Sequence, residues 1–331
     1  MSPPPRQRSV GGPDDDRASG AARRGVQRLR AIVLGLARRG RATVHVRDAD
    51  GAAARGGDGG VDLPPEPLPC PDGEHVGPPD FVGVGIQRCG TTRWFDLIAS
   101  HPEVALPRGG RPGYYSTTAK ELHYFDRFYA GGCSASELAR YRDYFPRAAG
   151  QKAGEWTPLY ASAPWIPPLL AAAAPDARLL VLLRDPVERL RSALSLSERV
   201  ARRRGVAPSR YAPLDAFCRG LYHLQLTGLL SHFDRSQILV LQYERCSEQP
   251  LAELRRTFEF IGVGDSAFVP ANLDAAPQRQ AEKPALDADA RAAYVRAYSD
   301  DVRRLLDAWP EIDVRMWPNF AHLADLSAAG V

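Results

Sequence analysis

The stretch that most constrains this chain runs from Phe81 to Pro102. Phe81-Val82-Gly83-Val84-Gly85 is a short apolar run of β type, Gly85-Ile86-Gln87-Arg88-Cys89-Gly90-Thr91-Thr92 is a glycine turn, and a helical pattern then extends to Ser100 and stops at His101-Pro102. A strand that breaks into such a turn and opens a helix is a building unit of nucleotide-binding α/β sheets. Backbone N–H groups at a helix N-terminus favour an anion whatever the side chains are. Further strand-like runs lie at 154–157, 178–183 and 237–241, each followed by a helical pattern. Their near-continuous apolar character predicts burial on both faces, and therefore a parallel sheet. Helices expected at 186–201, opened by Pro186, and at 214–233 supply crossovers, and a last helix over 287–309 closes the fold. The expected class is α/β, a parallel β-sheet flanked by helices, of P-loop nucleotide-binding-like type.

Composition sets the limits of that domain. Gly and Pro each number 29, and they concentrate before position 80, where Pro3-Pro4-Pro5, Gly56-Gly57-Asp58-Gly59-Gly60 and Pro64-Pro65 leave no sustained apolar pattern. Residues 1–79 are therefore read as a disordered low-complexity tail and 80–325 as one large α/β domain. The tail is charge-segregated: eight arginines and no carboxylate lie between Arg23 and Arg47, and eight acids with only Arg55 lie over 48–80. The basic part is read as solvated; a short basic helix over 26–39 touching an anionic membrane is the lesser reading. A net charge of +4 is too small to argue for a nucleic-acid partner. Five cysteines without a CxxC pair and seven histidines without an HExxH spacing exclude a disulfide scaffold and indicate no metal centre. The apolar run 31–37 is too short to span a bilayer, so a cytoplasmic protein is expected. Only Lys120, Lys152 and Lys283 are lysines among 43 basic residues, a bias typical of GC-rich bacterial genomes.

The turn at 85–92 has the spacing of a phosphate loop, but Thr91 stands where a nucleoside-triphosphate enzyme has lysine. The chain thus lacks the cation that a triphosphate needs, whereas Arg88 places a fixed charge against a single 5′-phosphate. Leu182-Leu183-Arg184-Asp185-Pro186-Val187-Glu188-Arg189-Leu190-Arg191-Ser192 adds an arginine at a strand end and a serine two helical turns later. An arginine fork and a hydroxyl suit a second, separate phosphate. Arg189 and Arg191 are expected to be solvated helix charges.

Together these residues resemble the sulfotransferases that use 3′-phosphoadenosine 5′-phosphosulfate (PAPS). The segment 84–92 with His101-Pro102 is similar to that family's 5′-phosphosulfate loop, and 183–192 to its 3′-phosphate motif. Lys120-Glu121-Leu122-His123-Tyr124-Phe125-Asp126 and Gly154-Glu155-Trp156-Thr157-Pro158-Leu159-Tyr160 resemble blocks shared with the heparan sulfate and related bacterial carbohydrate sulfotransferases. The resemblance spans about 80 to 310. It implies a sulfotransferase fold and transfer of the sulfuryl group of PAPS, a co-substrate, to a hydroxyl of a carbohydrate or glycosylated small molecule. Arg88, Cys89, Gly90, Thr91, Thr92, Arg184, Ser192 and Lys283 are the implied donor contacts. Glu121 matches the catalytic base, with Arg88 and His123 as the other implied catalytic groups. His123, Asp126 and Trp156 are the implied acceptor contacts, and Trp156, where relatives often have lysine, either stacks on a sugar or packs. Acceptor specificity is expected from loops such as 107–118 and 202–213. Two rivals remain: a P-loop nucleotide kinase, with Asp185 as its magnesium carboxylate, and a non-catalytic nucleotide-binding protein.

Overall fold

The computed structural model describes residues 66–109, 111–112, 119–129, 132–274 and 285–324. The expected basic helix over 26–39, most of the tail and Lys283 lie outside the described residues. In chain order come β1 (His75–Val76), β2 (Phe81–Gly85), α1 (Thr91–Ala99), β3 (Val104–Ala105), β4 (Arg111–Pro112) and β5 (Ala119–Glu121). They are followed by α2 (Ala135–Arg140), β6 (Pro146–Arg147), β7 (Lys152–Trp156), α3 (Ile166–Ala173) and β8 (Arg178–Leu183). The chain then forms α4 (Pro186–Arg204), α5 (Ala212–Cys218), α6 (Tyr222–Leu230), β9 (Ile238–Gln242), α7 (Tyr243–Glu248), α8 (Pro250–Ile261) and α9 (Ala288–Ala308).

Five of these strands make one sheet in the order β3-β7-β2-β8-β9, every pair parallel. All residues of β2 and β9, and β8 from Leu179 onward, are buried, as their continuous apolar runs require of strands covered on both faces. From central β2 the chain moves out to β3 and β7 on one side and then returns to β8 and β9 on the other. That reversal opens a crevice beyond the C-terminal ends of β2 and β8, the usual ligand position in such sheets. At the centre, Gly83 lies under the Trp156 indole, where a Cβ would sit 2.0 Å from Trp156 Cδ2.

Two expectations need correction. The folded body starts before 80, because β1 pairs antiparallel with β6 and Arg147 donates to the Pro78 carbonyl at 2.9 Å. The single helix expected over 214–233 is two, α5 and α6. Asp301 on α9 accepts from the N–H groups of His223 (3.0 Å) and Leu224 (3.2 Å), so its carboxylate caps a fresh helix start inside the apolar pattern.

Candidate active site

The loop after β2 is shaped for an anion. Gly90 is the N-cap of α1 in the left-handed region, φ 91°, and no side chain caps the helix. A Cβ at Gly90 would also approach Tyr243 Cδ2 at 2.8 Å, so both conformation and space call for glycine. The first helical bond closes from Trp94 N–H to the Gly90 carbonyl at 3.2 Å. The N–H groups of Thr91 and Thr92 precede that ladder and carry the positive end of the helix dipole. Cys89 departs from expectation. Its N–H closes the turn onto Ile86 O at 3.2 Å, and its thiol is buried, with burial pushing its pKa up to about 12. Cys89 shapes the loop, its N–H engaged in the turn and its thiol facing Tyr222 Oη.

The second motif meets the first at the crevice. Arg88 Nε donates to Ser192 Oγ at 3.1 Å across the gap between loop and α4. Arg184, 8% exposed at the end of β8, lies with its guanidinium 4.4 Å from the centroid of Tyr243, the ring that also abuts Gly90. Among the described residues, buried Nη1 of Arg184 has no hydrogen-bond partner. An orphaned, buried cationic donor is what a phosphate oxygen would complete. Arg189 is not solvated as expected: it is fully buried and donates to the Ala216 carbonyl. Arg191 stays at the surface side, paired with Glu188 at 2.9 Å.

Glu121 reaches the loop through Lys120, a residue not among the expected site residues. Lys120, fully buried, donates to Glu121 Oε1 at 2.9 Å, to Thr91 Oγ1 at 3.2 Å and to Thr92 Oγ1 at 3.5 Å. A lysine from β5 thus brings to the loop the charge that Thr91 does not. The other carboxylate oxygen of Glu121 faces His123 Nε2 at 3.1 Å, and His123 Nδ1 faces Asp126 Oδ2 at 2.8 Å. Burial works against charge at His123, but the two carboxylates outweigh it and raise its pKa to about 10. Burial likewise works to raise the Glu121 carboxyl, but the hydrogen bond from His123 and the Lys120 ammonium bring it below the ordinary value. Lys120 itself moves down, because burial exceeds the help of Glu121. The result is an ionised carboxylate held between the buried Lys120 amine and the His123 imidazolium.

A buried carboxylate underneath fixes this segment. Glu155 on β7 accepts from Leu122 N–H (3.1 Å), Tyr141 Oη (2.6 Å) and Tyr160 Oη (3.0 Å), as well as from Thr157. Thr157 Oγ1 accepts from His123 N–H at 3.3 Å and Tyr160 Oη from Tyr124 N–H at 3.0 Å. These bonds hold His123 in the left-handed region, φ 52°, a conformation that a non-glycine residue adopts only when its surroundings impose it. Trp156, in contrast, is fully buried, its indole N–H donating to Gly85 O at 3.1 Å. It packs against the sheet and has no face for a sugar. Asp185 is also fully buried. Its oxygens accept from the N–H groups of Val187 and Glu188 and from Asn319, so it caps α4 and is closed to the magnesium that a kinase would need there.

The Sulfotransferase family profile matches residues 79–266. Heparan sulfate glucosamine 3-O-sulfotransferase 3B1 of Mus musculus is 32% identical over 199 residues, covering 56% of this chain and 46% of that protein. Heparan sulfate glucosamine 3-O-sulfotransferase 6 of Homo sapiens is 32% identical over 196 residues, covering 56% and 52%. The chain spans about half the length of the curated relatives it matches. Among solved structures, a sulfotransferase from Alicyclobacillus acidocaldarius shares the fold, with a TM-score of 0.54 at 24% identity over 73% of this chain and 99% of that one.

Proposed function

Since the chain belongs to the sulfotransferase family, we propose that it transfers a sulfuryl group from PAPS to a hydroxyl of a carbohydrate or glycosylated small molecule. The observation that carries this reading is the meeting of the phosphate loop with the second motif, where Arg88 reaches Ser192 at 3.1 Å and Arg184 stacks on the Tyr243 ring that abuts Gly90, with the loop linked through Lys120 to an ionised Glu121 at 2.9 Å. PAPS would supply the activated sulfuryl group, with its 5′-phosphate at the loop and its 3′-phosphate at Arg184 and Ser192. Glu121 takes the proton from the acceptor hydroxyl. His123, charged and turned by Asp126, orients that carboxylate; with both ring nitrogens engaged, it acts on the base more than on the acceptor. Arg88, Lys120 and the N–H groups of Thr91 and Thr92 stabilise negative charge developing at the loop, preorganised as low-barrier catalysis requires. The guanidinium of Arg88 does not release a proton under these conditions, so its contribution is electrostatic.

The test is calorimetry with adenosine 3′,5′-bisphosphate and with ATP, beside an assay of bisphosphate release from PAPS. The bisphosphate is expected to bind far more tightly than ATP, because the site has groups for a 3′-phosphate, which ATP lacks, and because Asp185 is closed to a magnesium ion. Equal or tighter ATP binding would sink the assignment and favour the kinase alternative.

A further inference from the structure

Helix α4 divides its residues between two surroundings. Arg189, Ser192 and Ser195 are buried in the protein body, whereas Ala193, Leu196 and Val200 line a cavity of about 400 Å³. Val206, Ala212 and Gln87, the neighbour of Arg88 in the phosphate loop, also line it. That volume is in the range of small-molecule sites, which are typically about 300 to 1,000 Å³ and mostly apolar. Among the described residues that line it one is basic, Arg204, and one acidic, Asp215, so the described wall has no net charge. A polyanionic glycan is held by several cations along its path. A hydrocarbon group needs only an apolar wall from which water can leave. Val206 carries the apolar lining out to solvent, at 59% exposure, which makes an entrance.

We propose that this cavity holds the apolar aglycone of the acceptor, so that the substrate class is a neutral amphipathic glycoside and not a polyanionic polysaccharide. The assignment rests on the sulfuryl-transfer reading for the fate of the sugar hydroxyl, but binding in the cavity can be measured without it. The probes are octyl β-D-glucopyranoside below its micellar concentration and methyl β-D-glucopyranoside, which share a head group and differ only in hydrocarbon. Each is titrated calorimetrically into the full chain with adenosine 3′,5′-bisphosphate present, after the bisphosphate itself has been titrated.

The octyl glycoside is expected to bind at least about tenfold more tightly than the methyl glycoside, since each buried methylene contributes severalfold. Leu196→Asn in the wall should cut that preference at least about threefold with bisphosphate affinity unchanged. Val206→Asp, at an exposed position on which folding does not depend, should act in the same direction. Equal affinity for the two glycosides, or a preference that both substitutions leave intact, overturns the proposal. So does tighter binding of a heparan-type oligosaccharide than of octyl glucoside. If the bisphosphate fails to bind while the octyl preference and its loss in the variants persist, the cavity assignment is supported and the transfer reading is the one that falls.

Discussion

The donor cradle and the base segment sit side by side yet are built by opposite means. The cradle uses backbone: a glycine N-cap, the first N–H groups of α1, and an arginine at the end of a buried strand, all close in sequence to the strands that carry them. The base segment is three residues of β5 followed by a left-handed histidine, and it is held from below by side chains of other elements, chiefly Glu155, Tyr141 and Tyr160. A site of this kind has one half that rests on the backbone and its own arginines and one half that depends on a single buried carboxylate. Donor binding and turnover should therefore respond to different mutations.

The largest separation is expected from Glu121→Gln. The substitution keeps shape and removes the proton acceptor, so turnover should fall by about 10²- to 10⁴-fold, the range for general-base catalysis, while bisphosphate affinity stays near that of the wild type. Bisphosphate release from PAPS, measured beside a binding titration, decides it; a variant retaining more than about a tenth of wild-type turnover removes Glu121 from that role. Glu155→Ala tests the platform. It strands several buried donors at about 1 to 3 kcal/mol each before relaxation, so urea unfolding should report a loss of roughly 3 kcal/mol or more. A loss below about 1 kcal/mol would mean that the segment holds itself.

Arg184→Ala acts on the other half. It should weaken bisphosphate binding by about 1.5 to 3 kcal/mol, the worth of a charge-assisted hydrogen bond, and hardly alter binding of adenosine 5′-phosphosulfate, which has no 3′-phosphate. Equal losses for both ligands would make Arg184 structural.

The finest test is a titration. With a folded pKa of about 10 against an ordinary 6.5, His123 contributes stability that is complete below its unfolded value and disappears as pH rises through about 10. Glu121, shifted down, contributes in the reverse sense: its share is present above the ordinary carboxylate range and is lost as pH falls through the lowered folded value. Nitrogen NMR should find His123 still an imidazolium at pH 8, and Asp126→Asn should bring its titration down toward neutrality. Titration near 6.5 in the wild type would break the link between the histidine and its carboxylates.

What was legible in the sequence follows the same division. The loop, β8 with Arg184 and Ser192, and the parallel sheet were readable because local spacing and continuous apolar runs specify them. Lys120, Tyr243 and Glu155 were not read as site residues, because their partners come together only through the tertiary fold. Lys120 did leave a trace: in a chain with three lysines among 43 basic residues, a lysine next to the base stands against the compositional drift. The burial of Arg189 and Trp156 left none, since a helix arginine and a strand-end tryptophan look the same in sequence whether they face solvent or the core.

The fit of Trp156 over Gly83 bears on how this protein can change by single steps. Any side chain introduced at Gly83 meets the indole at 2.0 Å, and shortening Trp156 first leaves a void of the kind that costs about 3 to 5 kcal/mol. Each one-residue path leads through a poorly folded intermediate, so the two positions are constrained to vary together. The lining of the cavity beside Gln87 has no such interlock: Val206 and Ala207 are exposed, and their replacement disturbs no core contact. Lineages descending from this chain can therefore explore new acceptors freely at 206 and 207 while the tryptophan and glycine under the sheet remain a frozen pair.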